Sequence, residues 1–196
     1  MINNLLYICG APGVGKSTVS RELTRGWDKE LERAHPVPHS RLLHPASRRV
    51  VGLELGVPRA DFPGTDALAM DIGPRAQQFL STAYVPFAFG EGARLATQPF
   101  IFGLASQGVR TTLVLLTASE ELLEARWLER GAKQNPAWRK GAATRAHRLF
   151  ERFNEHLGQA GFYQQVRLDV TDLTPAEAAG RLADAFPLID LRESAA

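Results

Sequence analysis

An eight-residue segment near the start of the chain constrains its fold more than any other. Residues 10–17 read Gly-Ala-Pro-Gly-Val-Gly-Lys-Ser and match the pattern G-x-x-x-x-G-K-[ST] at every required position. An apolar run, Leu5 to Cys9, comes directly before the segment, and an apolar stripe with a spacing of four residues follows it. A buried strand, a glycine-rich turn and a helix in this order are typical of a parallel α/β fold whose loop binds phosphate.

The same motif predicts roles for individual residues. Lys16 is expected to reach the β- and γ-phosphates of a nucleoside triphosphate, and the Ser17 hydroxyl is expected to ligate Mg²⁺. The predicted cofactors are therefore ATP, or a related nucleoside triphosphate, and Mg²⁺. The residues expected to bind the nucleotide here are Gly10, Ala11, Pro12, Gly13, Val14, Gly15, Lys16, Ser17 and Thr18.

A carboxylate at the end of a neighbouring strand is expected to hold the Mg²⁺ together with Ser17. Glu91 is the candidate because it follows a predicted strand over Tyr84 to Phe89, whereas the run Leu113 to Leu116 ends without an acid. Glu91 is predicted to be a metal ligand that also faces the substrate. The alternative is an acid that interacts with the dipole of the following helix.

The segment 59–71 is rich in acidic residues for a surface loop and should lie beside the phosphate loop. The phosphate loop and Mg²⁺ site suit a kinase, which transfers the terminal phosphoryl group of the nucleotide to an acceptor hydroxyl. A kinase needs a carboxylate within hydrogen-bond reach of the attacking hydroxyl, mainly to orient it. Asp66 is the first candidate, Asp71 the second and Asp61 the third, although Asp66 also suits a turn cap. The other residues expected to contact the acceptor are Arg59, Thr65 and Arg94.

Positive charge is concentrated between residues 126 and 152, with eight Arg and Lys residues against two Glu. Arg126 and Arg130 lie four apart on a predicted helix, and both are expected to bind phosphate oxygens during the transfer. The segment is predicted to be a basic helical lid, and its charge suits a nucleotide or a nucleic-acid backbone. A solvated helix face is the alternative.

The remaining patterns predict one domain over residues 1–196, with a five-stranded parallel sheet and helices on both faces. No apolar run is long enough to cross a bilayer, and the lone Cys9 cannot pair within the chain, so we expect a cytoplasmic protein. The oligomeric state is not predicted. Strands are expected at Leu5–Cys9, Val50–Leu55, Tyr84–Phe89, Thr111–Leu116 and Gln165–Val170, and helices at about Lys16–Ala34, from near Pro74, at Ala93–Ser106, Glu120–Arg130 and Pro175–Phe186, with an irregular segment at His35–Ala46.

These motifs resemble the small P-loop kinases, a group that includes nucleoside monophosphate, shikimate and gluconate kinases. The resemblance rests on the phosphate loop, on Leu113 to Leu122 with the following arginines, and on Asp169 to Glu177. It implies a strand order of 2-3-1-4-5, a lid that begins at the arginine-bearing helix, and a terminal segment that packs beside the adenine.

A narrower resemblance connects the chain with phage-encoded P-loop kinases, some of which act on hydroxymethyluracil in DNA. It rests on Leu53 to Gly56, on Phe62 to Met70 and on Gly90 to Leu95. The Asp-Gly-Phe-Pro-Arg type of substrate segment found in nucleoside monophosphate kinases is absent. The resemblance implies phosphorylation of 5-hydroxymethyluracil in phage DNA within an infected cell. A kinase of a free nucleoside, nucleotide or sugar, and a nucleic-acid-stimulated ATPase or regulatory module, remain the alternatives.

Overall fold

A computed structural model describes residues 2–58, 63–129, 131 and 135–186. Strands alternate with helices along most of the chain, as the apolar periodicity predicts. The elements are β1 (Asn4–Gly10), α1 (Lys16–Leu23), β2 (Asp28–Glu32), β3 (His39–Leu43), β4 (Val50–Leu55), a short 3-10 turn (Thr65–Ala67), α2 (Ile72–Thr82), β5 (Phe87–Glu91), α3 (Gln98–Ser106), β6 (Arg110–Thr117), α4 (Glu120–Glu129), α5 (Pro136–Asn154), β7 (Phe162–Asp169) and α6 (Pro175–Ala185).

The sheet has seven strands in the order β2-β3-β4-β5-β1-β6-β7. Strands β4, β5, β1, β6 and β7 are parallel, in the predicted order 2-3-1-4-5. The prediction of an all-parallel, five-stranded sheet is wrong, because β2 and β3 add an antiparallel pair beside β4. The fold is thus an α/β P-loop architecture with a mixed sheet.

Both faces of the sheet are buried, which is why its central strands are apolar throughout. On β1, Leu5 and Tyr7 face a core formed with α2, α3 and α5. Leu6 and Ile8 face the opposite core, formed with α1 and α6. The two side-chain sets alternate along one strand, as the period of two requires.

The predicted long helix over Lys16–Ala34 is wrong in its second half. Helix α1 ends at Leu23, and the chain then forms β2. Trp27 and Leu31 continue the four-residue spacing, but a spacing of four also fits one face of a strand. Antiparallel backbone pairing with β3 fixes the strand, and Arg41 on β3 also binds Glu30 at 2.7 Å and Glu32 at 3.2 Å. The segment His35–Ala46, expected to be irregular, contains β3.

Two further differences bear on the site. Strand β5 extends to Glu91, so this residue ends the strand instead of following it. Helix α3 begins at Gln98 and not at Ala93, which leaves residues 92–97 as an irregular loop.

Much of the predicted lid is α5, and its buried residues Leu149, Phe150 and Phe153 pack in the core. Within the described part of the chain, no helix is long and apolar enough to span a membrane.

Candidate active site

The phosphate loop connects β1 to α1 through backbone conformations that favour glycine. Gly13 and Gly15 have φ angles of 85° and 105°, in the left-handed region. Gly15 is the N-cap of α1, and no side chain caps this helix end. The backbone N–H groups of the first turn lack intrahelical acceptors and are therefore suited to bind phosphate oxygens.

Two cationic side chains lie at the loop. The Lys16 ammonium donates to the carbonyl oxygens of Ala11 at 2.9 Å and Gly10 at 3.2 Å. Arg126 reaches across from α4, and its Nη1 donates to the carbonyl oxygen of Val14 at 3.0 Å. The structure thus brings the predicted Lys16 and Arg126 to the same loop, each within hydrogen-bond distance of its carbonyl oxygens.

Ser17 and Glu91 meet as the sequence motif suggests. The Ser17 hydroxyl donates to Glu91 Oε1 at 2.8 Å. Glu91 is only 4% exposed, and this burial raises the pKa of its carboxyl from 4.5 to about 7, against the opposing effects of the Lys16 charge and the Ser17 hydrogen bond. Such a carboxylate costs free energy to ionise in the protein alone and gains by facing a cation.

The donor set of this pair fits Mg²⁺. A hydroxyl oxygen and a carboxylate oxygen lie side by side at the end of β5, and Mg²⁺ prefers oxygen ligands. The described residues hold no cluster of three or more His, Cys, Asp or Glu side chains able to bind a metal. A site with few protein ligands is typical of Mg²⁺ that is completed by substrate phosphates and water.

The predicted acceptor loop packs directly on the β5 carboxyl end. The Thr65 hydroxyl is fully buried and donates to the Glu91 carbonyl oxygen at 2.8 Å. A Cβ added to Gly64 would lie 2.2 Å from Glu91 Oε1, and a Cβ added to Gly92 would lie 2.8 Å from Thr65 Oγ1. Only glycine allows the two loops to approach so closely.

Asp66 points at the loop that follows Glu91. Its Oδ1 accepts hydrogen bonds from the backbone N–H groups of Ala93 at 2.7 Å and Arg94 at 2.9 Å. Within the described residues, Oδ2 has no hydrogen-bond partner. The carboxylate therefore caps the loop through Oδ1, and the position of Oδ2 is fixed as a hydrogen-bond acceptor.

The other acceptor candidates lie in different settings. Asp71 forms an exposed ion pair with Arg75 at 2.9 Å, one turn further along α2. The Arg94 guanidinium contacts the sulfur of Met70, and its buried Nε has no partner among the described residues. Arg59 and Asp61, together with Arg130 of the predicted lid, fall outside the described residues.

A pocket of about 200 Å³ opens beside the phosphate loop on the α6 side. Its walls come from the loop and α1, from Arg126 on α4, and from the segment after β7. The lining residues include Gly13, Thr18, Arg126, Val170, Leu173 and Pro175. The resemblance to the small P-loop kinases implies that the adenine lies beside this terminal segment. Apolar walls beside a phosphate loop also suit a nucleotide base.

Two site residues were missed in the sequence because each lies within an apolar strand. The Tyr7 hydroxyl lies 2.8 Å from Thr65 Oγ1 and 3.2 Å from the Gly92 carbonyl oxygen, so it connects β1 to both loops. Glu54 on β4 accepts from Ser20 at 3.2 Å and Lys29 at 2.5 Å, and its charge contributes to the raised pKa of Glu91. A polar side chain inside a buried run was the available signal.

Comparison with known proteins assigns the family. The profile of the P-loop Nucleotide Kinase3 family matches residues 1–172. The chain belongs to the P-loop Nucleotide Kinase3 family. It is accordingly an α/β P-loop kinase, a class of phosphotransferase that generally uses ATP or another nucleoside triphosphate with Mg²⁺.

More distant comparisons add little to this family assignment. No curated protein is significantly similar to the chain in sequence. Among solved structures, a gluconokinase from Sinorhizobium meliloti 1021 aligns with 96% of this P-loop kinase and 98% of its own chain, at 18% identity and a TM-score of 0.44. This likeness is too weak to bear on the substrate.

Proposed function

We propose that this P-loop kinase transfers the γ-phosphoryl group of ATP to the hydroxymethyl group of 5-hydroxymethyluracil in phage DNA. The observation that carries the kinase assignment is the Ser17–Glu91 contact at 2.8 Å, beside Lys16 and Arg126 on one phosphate loop. These groups supply a metal site and two cations where charge develops in phosphoryl transfer.

The acceptor side of the proposal rests on Asp66. The acceptor hydroxyl oxygen forms a bond to the γ-phosphorus while the bond from that phosphorus to the bridging oxygen of ADP breaks. The hydroxyl proton passes to Asp66 Oδ2, and the two N–H donors to Oδ1 hold the carboxylate in place. Mg²⁺ bound to Ser17 and Glu91 would neutralise phosphate charge.

Four points favour a base in DNA as the acceptor. The acceptor segment resembles that of phage kinases of hydroxymethyluracil, and the nucleoside monophosphate substrate segment is absent. A substituent at C5 of a pyrimidine points into the major groove, so its hydroxyl is accessible in a duplex. The exposed arginines of α5 provide positive charge for the DNA backbone.

A transfer assay with γ-labelled ATP separates the possibilities. The acceptors are unmodified DNA, DNA that contains hydroxymethyluracil, and a panel of free nucleosides, nucleotides and sugars. We expect label only in the hydroxymethyluracil DNA. Label in a free molecule alone would replace the DNA proposal with a small-molecule kinase, and ATP hydrolysis without any labelled acceptor would indicate an ATPase or regulatory module.

A further inference from the structure

A second cavity, of about 660 Å³, is lined by residues that are far from the phosphate loop in the sequence. Most of them are charged, unlike the lining of the pocket at the phosphate loop. We call it the α5 groove. Helix α5 forms most of its wall and β7 contributes Arg167. Its charged and titratable lining residues are Lys140, His147, Arg148, Glu151, Arg152 and Arg167.

The α5 groove is strongly positive. Among the residues that the structure describes, four cationic side chains line it against one carboxylate, and that carboxylate is engaged, because Glu151 binds Arg167 at 2.5 Å. Arg152 donates to a neutral partner, Gln98, at 2.9 Å. Within the described residues, Lys140 and Arg148 form no ion pair. The free energy of these two charges is therefore lowered by any anion that enters the groove.

Geometry separates the α5 groove from the nucleotide site. The two cavities share none of their described lining residues. Helix α5 packs in the core on the α2 and α3 face of the sheet, whereas the nucleotide pocket is bounded by α1 and α6 on the other face. The groove charges are thus not needed to explain the binding of ATP.

The spacing of the cations suits a polymer better than a small anion. Lys140, Arg148 and Arg152 follow one side of α5 over twelve residues, a rise of about 18 Å at about 1.5 Å per residue. One strand of a DNA duplex presents about five phosphates over that length. A mononucleotide or a single phosphate would leave most of the row unpaired.

We propose that the α5 groove binds the sugar-phosphate backbone of duplex DNA. The choice of DNA among polyanions rests on the proposed function. The groove then supplies affinity independent of base sequence, while the acceptor loop selects the base. Backbone contacts in the groove then hold the long substrate while the base is phosphorylated.

The test measures binding of a short, fluorescently labelled DNA duplex by anisotropy at several salt concentrations, without ATP. In the double variant Lys140→Gln/Arg148→Gln, the slope of log Kd against log salt should fall by about two, since each lost phosphate contact is worth about 0.9. The matched control is Arg21→Gln/Arg181→Gln, which removes two exposed charges from α1 and α6. This control should keep the wild-type slope.

A gain-of-binding variant guards against a folding artefact. Glu151→Gln removes the only carboxylate among the described lining residues and should tighten DNA binding, with a slope steeper by up to about one. Wild-type protein that does not bind the duplex, a double variant that keeps the full slope, or weaker binding by Glu151→Gln would each overturn the proposal.

The outcome is separable from that of the transfer assay. If hydroxymethyluracil DNA is phosphorylated but the groove variants bind DNA as wild type does, the groove assignment fails and the proposed function stands. If the groove variants lose DNA binding but no DNA base is labelled, the groove is a DNA site and the proposed acceptor is wrong.

Discussion

The substitution Glu91→Gln changes the charge of the site and almost nothing of its shape. Gln keeps an oxygen that can accept the Ser17 hydroxyl hydrogen bond, now 2.8 Å long. It cannot ionise, however, so it removes the free-energy cost of a buried carboxylate. The variant therefore separates what Glu91 does for stability from what it does for the metal.

The magnitude follows from the pKa of Glu91, which burial raises from 4.5 to about 7. Between pH 4.5 and about pH 7 the folded protein retains a proton that the unfolded chain has released. The free energy of unfolding therefore falls as the pH rises through this range, and the contribution of Glu91 is constant above it. A tenfold change in proton affinity is worth about 1.4 kcal/mol, so the wild type loses about 3 kcal/mol by pH 8. Glu91→Gln should escape this loss.

Urea denaturation at pH 5 and pH 8, with EDTA and without nucleotide, measures the effect. We expect the two proteins to be close in stability at pH 5 and Glu91→Gln to be more stable by up to about 3 kcal/mol at pH 8. The control is Glu155→Gln, which removes an exposed carboxylate outside the site and should not show this pH dependence. An equal difference at both pH values would refute the reasoning.

Activity should move in the opposite direction. The variant lacks the carboxylate charge that retains Mg²⁺, so turnover should fall, and part of it should return at high Mg²⁺ concentration. A rate that does not respond to Mg²⁺ would mean that Glu91 does not act through the metal. The interaction with a helix dipole is not the explanation, because α3 begins only at Gln98. A stabilised but inactive protein is the signature of a strained functional group.

Three other substitutions test the remaining parts of the site. Lys16→Ala should abolish transfer with an unchanged circular dichroism spectrum, and wild-type activity would remove the kinase proposal. Asp66→Asn keeps the oxygen that accepts hydrogen bonds from the loop N–H groups. It should lower kcat on the order of 10²–10⁴-fold with little change in ATP affinity. If Asp71→Asn is instead the variant that loses activity, Asp71 orients the acceptor hydroxyl. Tyr7→Phe should cost about 1–2 kcal/mol in urea melts and raise the KM of the acceptor more than that of ATP, whereas equal effects on both would indicate a merely structural hydroxyl.

Local patterns predict the parallel part of the fold well, because buried strands and amphipathic helices have distinct periods. The order of the five parallel strands, which the resemblance to the small P-loop kinases implies and the periods do not, is confirmed. The β2 and β3 pair escaped the prediction because β2 is charged, and its pairing with Arg41 and Arg48 depends on residues more than ten positions away. Such cross-strand contacts leave no period in the sequence.

The candidate site was predictable where a motif fixes the residue and less so elsewhere. Ser17 and Glu91 were predicted to share a metal, and they lie in contact. Tyr7 and Glu54 were missed because their partners lie far away in the sequence: Tyr7 contacts the loops at Thr65 and Gly92, and Glu54 binds Ser20 and Lys29. The roles of Asp66, Arg94 and the other site residues stay predictions until the variants are assayed.

The charges on β2 also affect how the molecule behaves in crowded solution. This strand is the last in the sheet, and an unpaired strand edge can recruit further strands into aggregates. Asp28 and Glu30 are held by Arg48, so this edge presents charged side chains to an incoming strand, which disfavours further pairing. Acid protonates these carboxylates and concentrated salt screens their charges, so either condition should weaken the protection of this edge against strand pairing.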